Sequence, residues 1–218
     1  MRNLKETWRQ WGWLLLMGFI ITGILFPALG TVALLCMLAP VVTSFWSGRI
    51  WCGYYCPRGS FNDYLLAKIT LKREMPRIFK ESWFRLTFLA LLMGSFVIQI
   101  ILAWGSLVAV GAVFVRMVLL TTLLGIILGI IYNYRTWCLI CPMGTMAGFV
   151  AGFKNTRNRL TNVTFVKDRC VDCKLCSRCC PMGIDVATYR KLGRVDHGDC
   201  LKCRVCVGKC PKQALFIE

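Results

Sequence analysis

Long uncharged stretches occupy most of the first two thirds of the chain. No charged residue occurs at positions 11–48, 86–115 or 117–134. A helix needs about 20 apolar residues to cross the hydrocarbon core of a bilayer. The first stretch is therefore long enough for two membrane spans, and the region 86–134 holds two more.

This pattern predicts four transmembrane helices. Breaks are expected at Pro27-Ala28-Leu29-Gly30 and at the small residues of 105–112, where the chain would turn. Residues 61–85 mix apolar and basic side chains at helical spacing, which predicts an amphipathic helix on the inner leaflet. The expected spans are 11–28, 31–47, 86–104 and 112–133.

Lysine and arginine residues fall into three groups. Three lie in 1–10, eight between Arg49 and Arg85, and fifteen from Arg135 onward. Because cytoplasmic loops carry an excess of basic residues, the N-terminus, the middle loop and the C-terminal region are all expected in the cytoplasm. Four spans place all three regions on the same side of the membrane. The remaining basic residue, Arg116, is then expected near the outer end of the fourth span.

Eight cysteines near the C-terminus form two copies of Cys-x2-Cys-x2-Cys-x3-Cys-Pro. This run is typical of bacterial ferredoxins with two [4Fe–4S] clusters, in which the fourth cysteine of each copy ligates the other cluster. A zinc site would use four ligands in separate pairs, which fits the run less well. One cluster is expected on Cys170, Cys173, Cys176 and Cys210, and the other on Cys200, Cys203, Cys206 and Cys180.

The formal net charge of +17 could indicate nucleic-acid binding. Three other causes explain it better: the topology signal, attraction to anionic lipid headgroups, and compensation for the negative charge of thiolate-ligated clusters. We therefore expect membrane lipids and no nucleic acid as partners. In a reducing cytoplasm the 14 cysteines are expected to be metal ligands or reactive thiols before they are disulfides.

A duplicated sequence links the two helical hairpins. Arg49-Ile-Trp51-Cys52-Gly-Tyr-Tyr-Cys56-Pro57 follows the second expected span, and Arg135-Thr-Trp137-Cys138-Leu-Ile-Cys141-Pro142 follows the fourth. Both copies continue with a glycine and a hydroxyl residue, and their cysteine spacing differs by one residue. The match predicts a parallel repeat about an axis along the membrane normal. Such an axis would bring the two cysteine pairs together at the inner membrane surface.

Two pairs supply the four thiolates that one cubane cluster needs, so Cys52, Cys56, Cys138 and Cys141 are expected to share a third iron–sulfur cluster. A redox-active dithiol, a transient metal site and one cluster per pair with outside ligands stay open as alternatives. The arginine and tryptophan of each copy are expected to anchor the helix at headgroup depth. Cys36 is expected to pack as a small apolar residue, and Cys179 to lie near a cluster.

Together these motifs resemble the NapH-like membrane-bound polyferredoxins, a pattern shared by the C-terminal part of NosR and by the CcoG family. The resemblance runs from about Trp11 to Pro211 and rests on the two membrane Cys…Cys-Pro motifs and the eight ferredoxin cysteines. It implies four helices, a cytoplasmic two-cluster ferredoxin domain with short strands at 164–166 and 214–217, and a quinol-oxidising role. The chain departs from the group in its shorter second membrane motif and its very short outer loops.

The sequence thus predicts an all-α membrane domain at 1–151, a linker at 152–166 that releases the next domain from the bilayer, and a small α+β ferredoxin domain at 167–218. His197 is the only histidine, which excludes a bis-histidine haem within the chain. No nucleotide-binding glycine motif occurs.

The expected function is electron transfer in a bacterial or archaeal inner membrane. Electrons would pass between a quinone/quinol pool, or a partner redox subunit, and the cytoplasmic clusters, as in a quinol dehydrogenase complex. One alternative is a maturation factor that reduces or delivers a metal through solvent-reachable Cys52 and Cys138 thiols. The other is an iron–sulfur redox sensor.

Overall fold

The computed structural model describes residues 2–71, 73–153 and 162–217. Helices dominate, and one small sheet lies in the C-terminal region. The α-helices are α1 (Arg2–Leu25), α2 (Ala33–Ser47), α3 (Ile50–Tyr54), α4 (Pro57–Phe61), α5 (Ala67–Ile69), α6 (Ser82–Leu102), α7 (Leu107–Ile131), α8 (Thr136–Ile140), α9 (Pro142–Phe153), α10 (Leu175–Arg178) and α11 (Val205–Gly208). The strands are β1 (Val163–Phe165) and β2 (Leu215–Ile217).

Within the described residues, three helical segments are long and apolar enough to cross a membrane. They are Pro27–Ser47, Ser82–Leu102 and Leu107–Ile131, which correspond to the second, third and fourth expected spans. Helix α1 covers the first expected span but begins at Arg2, so it also includes the charged residues that precede position 11. That α1 crosses the membrane as a fourth span stays a prediction.

The 3-10 turn at Pro27–Val32 packs closely against the beginning of α7. A Cβ atom on Gly111 would overlap the carbonyl oxygen of Pro27, so only glycine fits there. The small residues of 105–112, expected to form a loop, mostly belong to α7, which is capped at its start by the Ser106 hydroxyl. The early start places Arg116 about 14 Å along the helix rather than at its end. There Arg116 Nη2 donates to Gln99 Oε1 of α6 at 2.8 Å.

Residues 61–85 do not form the expected amphipathic helix. Helix α4, a π-helical turn at Asn62–Leu66 and α5 follow one another and end at Ile69. Beyond Ile69 the chain passes the end of α7, where Thr70 Oγ1 donates to Gly129 O at 2.6 Å, and a 3-10 turn at Arg77–Lys80 precedes α6. The last carbonyl groups of a helix have no partner within it. Residues 70 and 71 donate to these carbonyl groups of α7 instead of continuing a surface helix.

Strands β1 and β2 pair antiparallel, with Thr164 opposite Phe216, which agrees with the short strands that the resemblance implies. Strand β1 lies inside the interval 152–166 that was assigned to the linker. The ferredoxin unit, called the head below, therefore begins at about residue 162 rather than 167. Residues 154–161 of the expected linker lie outside the described residues.

The head packs against the membrane domain instead of being released from it. Leu201 is 2% exposed and lies so close to Gly53 of α3 that a Cβ atom there would overlap the Leu201 carbonyl oxygen. One apolar core runs from Cys52 and Trp137 in the membrane domain to Leu201 and Leu215 in the head. Burial of this shared core holds the two parts together.

Candidate iron–sulfur sites

The first expected set of head cysteines surrounds one cavity. Cys170, Cys173 and Cys176 line it together with Cys210 from the second motif. Helices α10 and α11 pack against each other. Cys180 and Cys210, each two residues beyond the end of its helix, are therefore brought to the opposite motif.

The second expected set surrounds a separate cavity. Cys200, Cys203 and Cys206 line it with Cys180 from the first motif. Both groupings are those that the crossover rule predicts. That these eight thiolates ligate clusters stays a prediction.

The backbone between the cysteines takes the same unusual conformation in both motifs. Asp172 and Lys174 have φ values of 54° and 56°, and the equivalent Lys202 and Arg204 have 55° and 65°. Non-glycine residues adopt this left-handed conformation at a cost, mostly at functional sites. Alternating turns of this kind direct N–H groups into a concavity that binds anions, including iron–sulfur clusters.

Backbone N–H groups also reach the cysteine sulfurs themselves. Ala214 N donates to Cys210 Sγ at 3.3 Å, and the N–H of Lys202 donates to the Cys200 thiol. Burial nevertheless raises the pKa of Cys200 to about 11. The thiol therefore keeps its proton near neutral pH, and loading the site with metal would release it.

Within the described residues, no three His, Cys, Asp or Glu side chains converge closely enough to hold one metal ion. A zinc site requires such convergence because its Zn–S bonds are only about 2.3 Å long. In a [4Fe–4S] cluster each thiolate binds a different iron, so the four sulfurs are spread around a cube. Four thiol groups around one cavity are the donor set that a [4Fe–4S] cluster takes.

The third cysteine set meets where α2 and α7 end. Cys52, Cys56, Cys138 and Cys141 line one cavity of about 520 Å³. Cys52 and Cys138, on the short helices α3 and α8, are only 9% and 8% exposed. Cys56 and Cys141 precede the prolines that begin α4 and α9. The two motifs are thus brought together from separate hairpins.

The arginine of each repeated motif reaches across to the other motif. Arg49 Nη2 donates to the backbone carbonyl of Cys138, and Arg135 Nη1 donates to the carbonyl of Cys52 at 2.9 Å. Arg135 Nη1 also lies 3.5 Å from Cys138 Sγ. Both arginines are 1% exposed and Trp137 is 2% exposed. The expectation that these three residues anchor the helices at the headgroups is therefore wrong, because they are enclosed by protein.

Each of these arginines is neutralised by one buried carboxylate. Asp63 accepts two hydrogen bonds of 2.7 Å from Arg135 and pairs with Arg9 at 2.7 Å. Asp199 of the head accepts from Arg49 at 2.7 Å. It also accepts from Arg85 at 2.8 and 2.9 Å.

The two carboxyl groups titrate in the same direction. Burial alone would raise the pKa of both Asp63 and Asp199, but the paired guanidinium groups outweigh it and hold each pKa below its usual value. Both residues are therefore charged at neutral pH. Each supplies the counter-charge that a buried arginine needs.

The two carboxylates occupy corresponding places in the two halves although they come from different parts of the chain. Asp63 follows Cys56 by seven residues, and the residue seven beyond Cys141 is Gly148. A Cβ atom on Gly148 would lie 2.9 Å from Asp199 Oδ1. The head thus places its carboxylate where the second motif lacks one.

Sequence reasoning singled out neither Asp63 nor Asp199. Only ten acidic residues occur in the chain, and these two lie close to cysteine motifs that are otherwise apolar or basic. An acidic residue beside a cysteine motif in so basic a chain was the only sequence feature that could have indicated them. Nothing local shows that Asp199, beside Cys200, would face the membrane domain, because the contact joins residues 150 positions apart.

Three further residues have definite surroundings. Cys36 is exposed on α2 and also lines the large cavity. Cys179 is partly buried, with its thiol 3.4 Å from Cys176 O. His197 is half-buried, and its Nδ1 accepts the backbone N–H of Asp199 at 3.1 Å. His197 therefore helps to fix the position of the Asp199 carboxylate.

Two parts of the chain match protein families. Residues 29–76, which include Cys52 and Cys56, match the family described as a 4Fe-4S binding domain. Residues 162–211, which include all eight head cysteines, match the family described as a 4Fe-4S dicluster domain. These matches support iron–sulfur clusters as the cofactors. No solved structure matches the chain.

The chain is also similar to curated proteins at low identity. It is 28% identical to the uncharacterized protein MJ0749 of Methanocaldococcus jannaschii over 178 residues, 80% of this chain and 66% of the relative. It is 25% identical to MJ0750 of the same organism over 189 residues, 80% of this chain and 74% of the relative. YccM of Escherichia coli K12, named as a candidate electron transport protein, is 27% identical over 228 residues, 92% of this chain and 60% of the relative.

Proposed function

We propose that this protein is a membrane-bound iron–sulfur electron-transfer subunit. It exchanges electrons between a quinone/quinol pool, or a partner redox subunit, and the clusters of its cytoplasmic head. The observation that carries the proposal is the placement of twelve cysteines as three sets of four, one around each of three cavities. The clusters supply the one-electron chemistry, and the protein supplies ligation, burial and charge.

The contact between the head and the membrane domain supports a continuous route. Leu201, next to Cys200, packs against Gly53, next to Cys52. Arg9 Nη1 donates to Cys203 O at 3.1 Å, and Asp199 is clamped by arginines of the membrane domain. These contacts hold the second head set beside the third set. The membrane cysteines are therefore in place to act as the intermediate station.

The large cavity suits a quinone. Its walls include apolar side chains of α1, α2 and α7, such as Leu16, Met37 and Val118, which would accept an isoprenoid tail. At the cysteine end, Trp137 Nε1 is buried and has no hydrogen-bond partner among the described residues. Arg58 lies over the Trp137 ring at 5.6 Å. Arg58 also lines this cavity, and its guanidinium group suits a carbonyl oxygen of a quinone headgroup.

The burial of the membrane cysteines favours this function over a maturation factor. That alternative requires Cys52 and Cys138 to be solvent-reachable thiols, whereas they are 9% and 8% exposed. The match of residues 29–76 to a 4Fe-4S binding domain also favours a cluster over a dithiol. YccM, the relative named for electron transport, aligns over 92% of this chain. We therefore retain electron transfer, with four spans, a parallel repeat and a cytoplasmic head as its structural premises.

The test is electron exchange with a quinone in a bilayer. Anaerobic protein in lipid nanodiscs is mixed with a reduced quinol, or is first reduced with dithionite and then mixed with the quinone, and the clusters are followed by EPR and visible absorbance. The proposal predicts exchange in at least one direction, abolished by Cys52→Ser while dithionite still reduces the head. Failure to exchange with quinone in either direction, in protein with its full iron content, would contradict the quinone role. A sensor would instead change structure on oxidation without turnover.

A further inference from the structure

The two cysteine loops of the head have equivalent backbones but opposite surroundings. Val171 and Leu201 each follow the first cysteine of a motif. Val171 is 60% exposed, whereas Leu201 is 2% exposed. The difference arises because the second loop faces the membrane domain and the first faces away from it.

The docked loop shows how this backbone makes a contact. The backbone carbonyl of Leu201 lies against Gly53, and the Leu201 side chain is buried in the core shared with the membrane domain. Two residues further on, the backbone carbonyl of Cys203 accepts a hydrogen bond from Arg9 at 3.1 Å. One apolar residue at the centre with polar contacts around it is the usual anatomy of a protein interface. The second cysteine loop therefore forms an interface with the membrane domain beside the cysteines of its set.

In the first cysteine loop the equivalent residues are exposed to solvent. Val171 occupies the position of Leu201, and Leu175, also exposed at 39%, stands beside it along the same cavity wall. The backbone φ values at Asp172 and Lys174 repeat those of the docked loop. These two side chains give the face an apolar centre with polar residues around it, as at the docked loop.

The charges around this loop specify the kind of partner. Exposed basic residues lie within two positions of the cysteines of the first set: Arg169, Lys174, Arg178, Lys209 and Lys212. Only Asp168 and Asp172 are acidic within the same distance. The surplus of positive charge attracts an acidic protein and accelerates its encounter with this face.

We propose that this surface, formed by Val171 and Leu175 together with the exposed basic residues that flank the first cysteine set in the sequence, is the docking site for an acidic protein electron carrier. The inference rests on the proposed function, because it requires a cluster in the first head set. One electron leaves the reduced carrier, which is oxidised by one electron, and the head is reduced by one. The direction reverses when the carrier is the acceptor.

The experiment measures the rate at which an acidic [2Fe–2S] ferredoxin, reduced beforehand, reduces the full-length protein in nanodiscs under anaerobic stopped flow. Val171→Asp places a charge at the centre of the surface and is expected to slow the reaction about tenfold. Leu192→Asp is the matched control, because Leu192 is also an exposed apolar residue of the head, at 67%, but lies outside this cavity wall. Its rate should match wild type.

Salt gives a second readout that a folding defect would not produce. The rate with the acidic carrier should fall steeply as salt is raised, and Lys174→Glu should weaken that dependence. Equal effects of Val171→Asp and Leu192→Asp, a rate independent of salt, or no reaction while dithionite still reduces the head would each overturn the docking site. Exchange with quinone in the same preparation would leave the proposed function standing, so the two failures are distinguishable.

Discussion

Removal of the Asp199 carboxylate should separate the head from the membrane domain. In the native structure this carboxylate neutralises Arg49, whose side chain is fully buried, and Arg85, whose side chain is 10% exposed. Breaking a buried ion pair by truncating one partner costs about 3–5 kcal/mol. For Asp199→Ala, this lowers the ratio of docked to undocked heads by roughly two to three and a half powers of ten.

Gly148 provides a matched rescue. Its Cβ position lies 2.9 Å from Asp199 Oδ1 and 3.4 Å from Arg85 Nη2, so an aspartate there reaches the same guanidinium groups. In the double variant Gly148→Asp, Asp199→Ala, the membrane domain supplies the counter-charge itself. Thermal stability of the membrane domain should recover, but the head should stay undocked.

Hydrogen–deuterium exchange separates these outcomes. In Asp199→Ala, protection should fall around Leu201 and around Gly53, which face each other. In the double variant, thermal stability should return to near the wild-type value while exchange at both segments stays fast. Wild-type protection in Asp199→Ala would refute the reasoning, because the ion pairs would then contribute nothing to docking.

Three other predictions follow from the same geometry. Cys180→Ala should damage the cluster formed mainly by the second motif and Cys210→Ala that of the first, and EPR showing damage confined to the variant's own motif would contradict the crossover. Gly53→Ala should weaken head docking by about 1–3 kcal/mol, because its methyl group overlaps Leu201 O, and unchanged exchange protection would count against that contact. Asp63→Asn should lower stability by about 3–5 kcal/mol at pH 7. Because the folded-state pKa of Asp63 is lowered, this loss should stay constant down to about pH 4 and shrink only below it, as thermal unfolding at several pH values would show.

The elements with strong periodic or motif signals were predictable. Uncharged length located three of the membrane helices to within a few residues, since a bilayer sets the length of any span. Cysteine spacing predicted how the eight head cysteines group around two cavities. The repeated Arg-x-Trp-Cys sequence predicted that the two membrane cysteine pairs lie together. In the structure both pairs line one cavity.

The misplaced features depend on contacts between distant parts of the chain. The 61–85 segment has helical periodicity, but the end of α7 offers it unsatisfied carbonyl groups instead. Arg49 and Arg135 look like headgroup anchors until Asp199 and Asp63 are known to lie against them. Docking of the head could not be predicted either, because it depends on a glycine and a leucine whose sequence surroundings give no sign of the contact.

The iron content of the anaerobically purified protein shows whether the membrane cysteines hold a third cluster. Three clusters predict about 12 irons per chain in the wild type, and about 8 in Cys138→Ser with the EPR signals of the head retained. Alkylation under native conditions should leave Cys52, Cys56, Cys138 and Cys141 unmodified in the wild type. A wild-type content of about 8 irons, with all four of these cysteines alkylated, would contradict the membrane cluster and the electron route built on it.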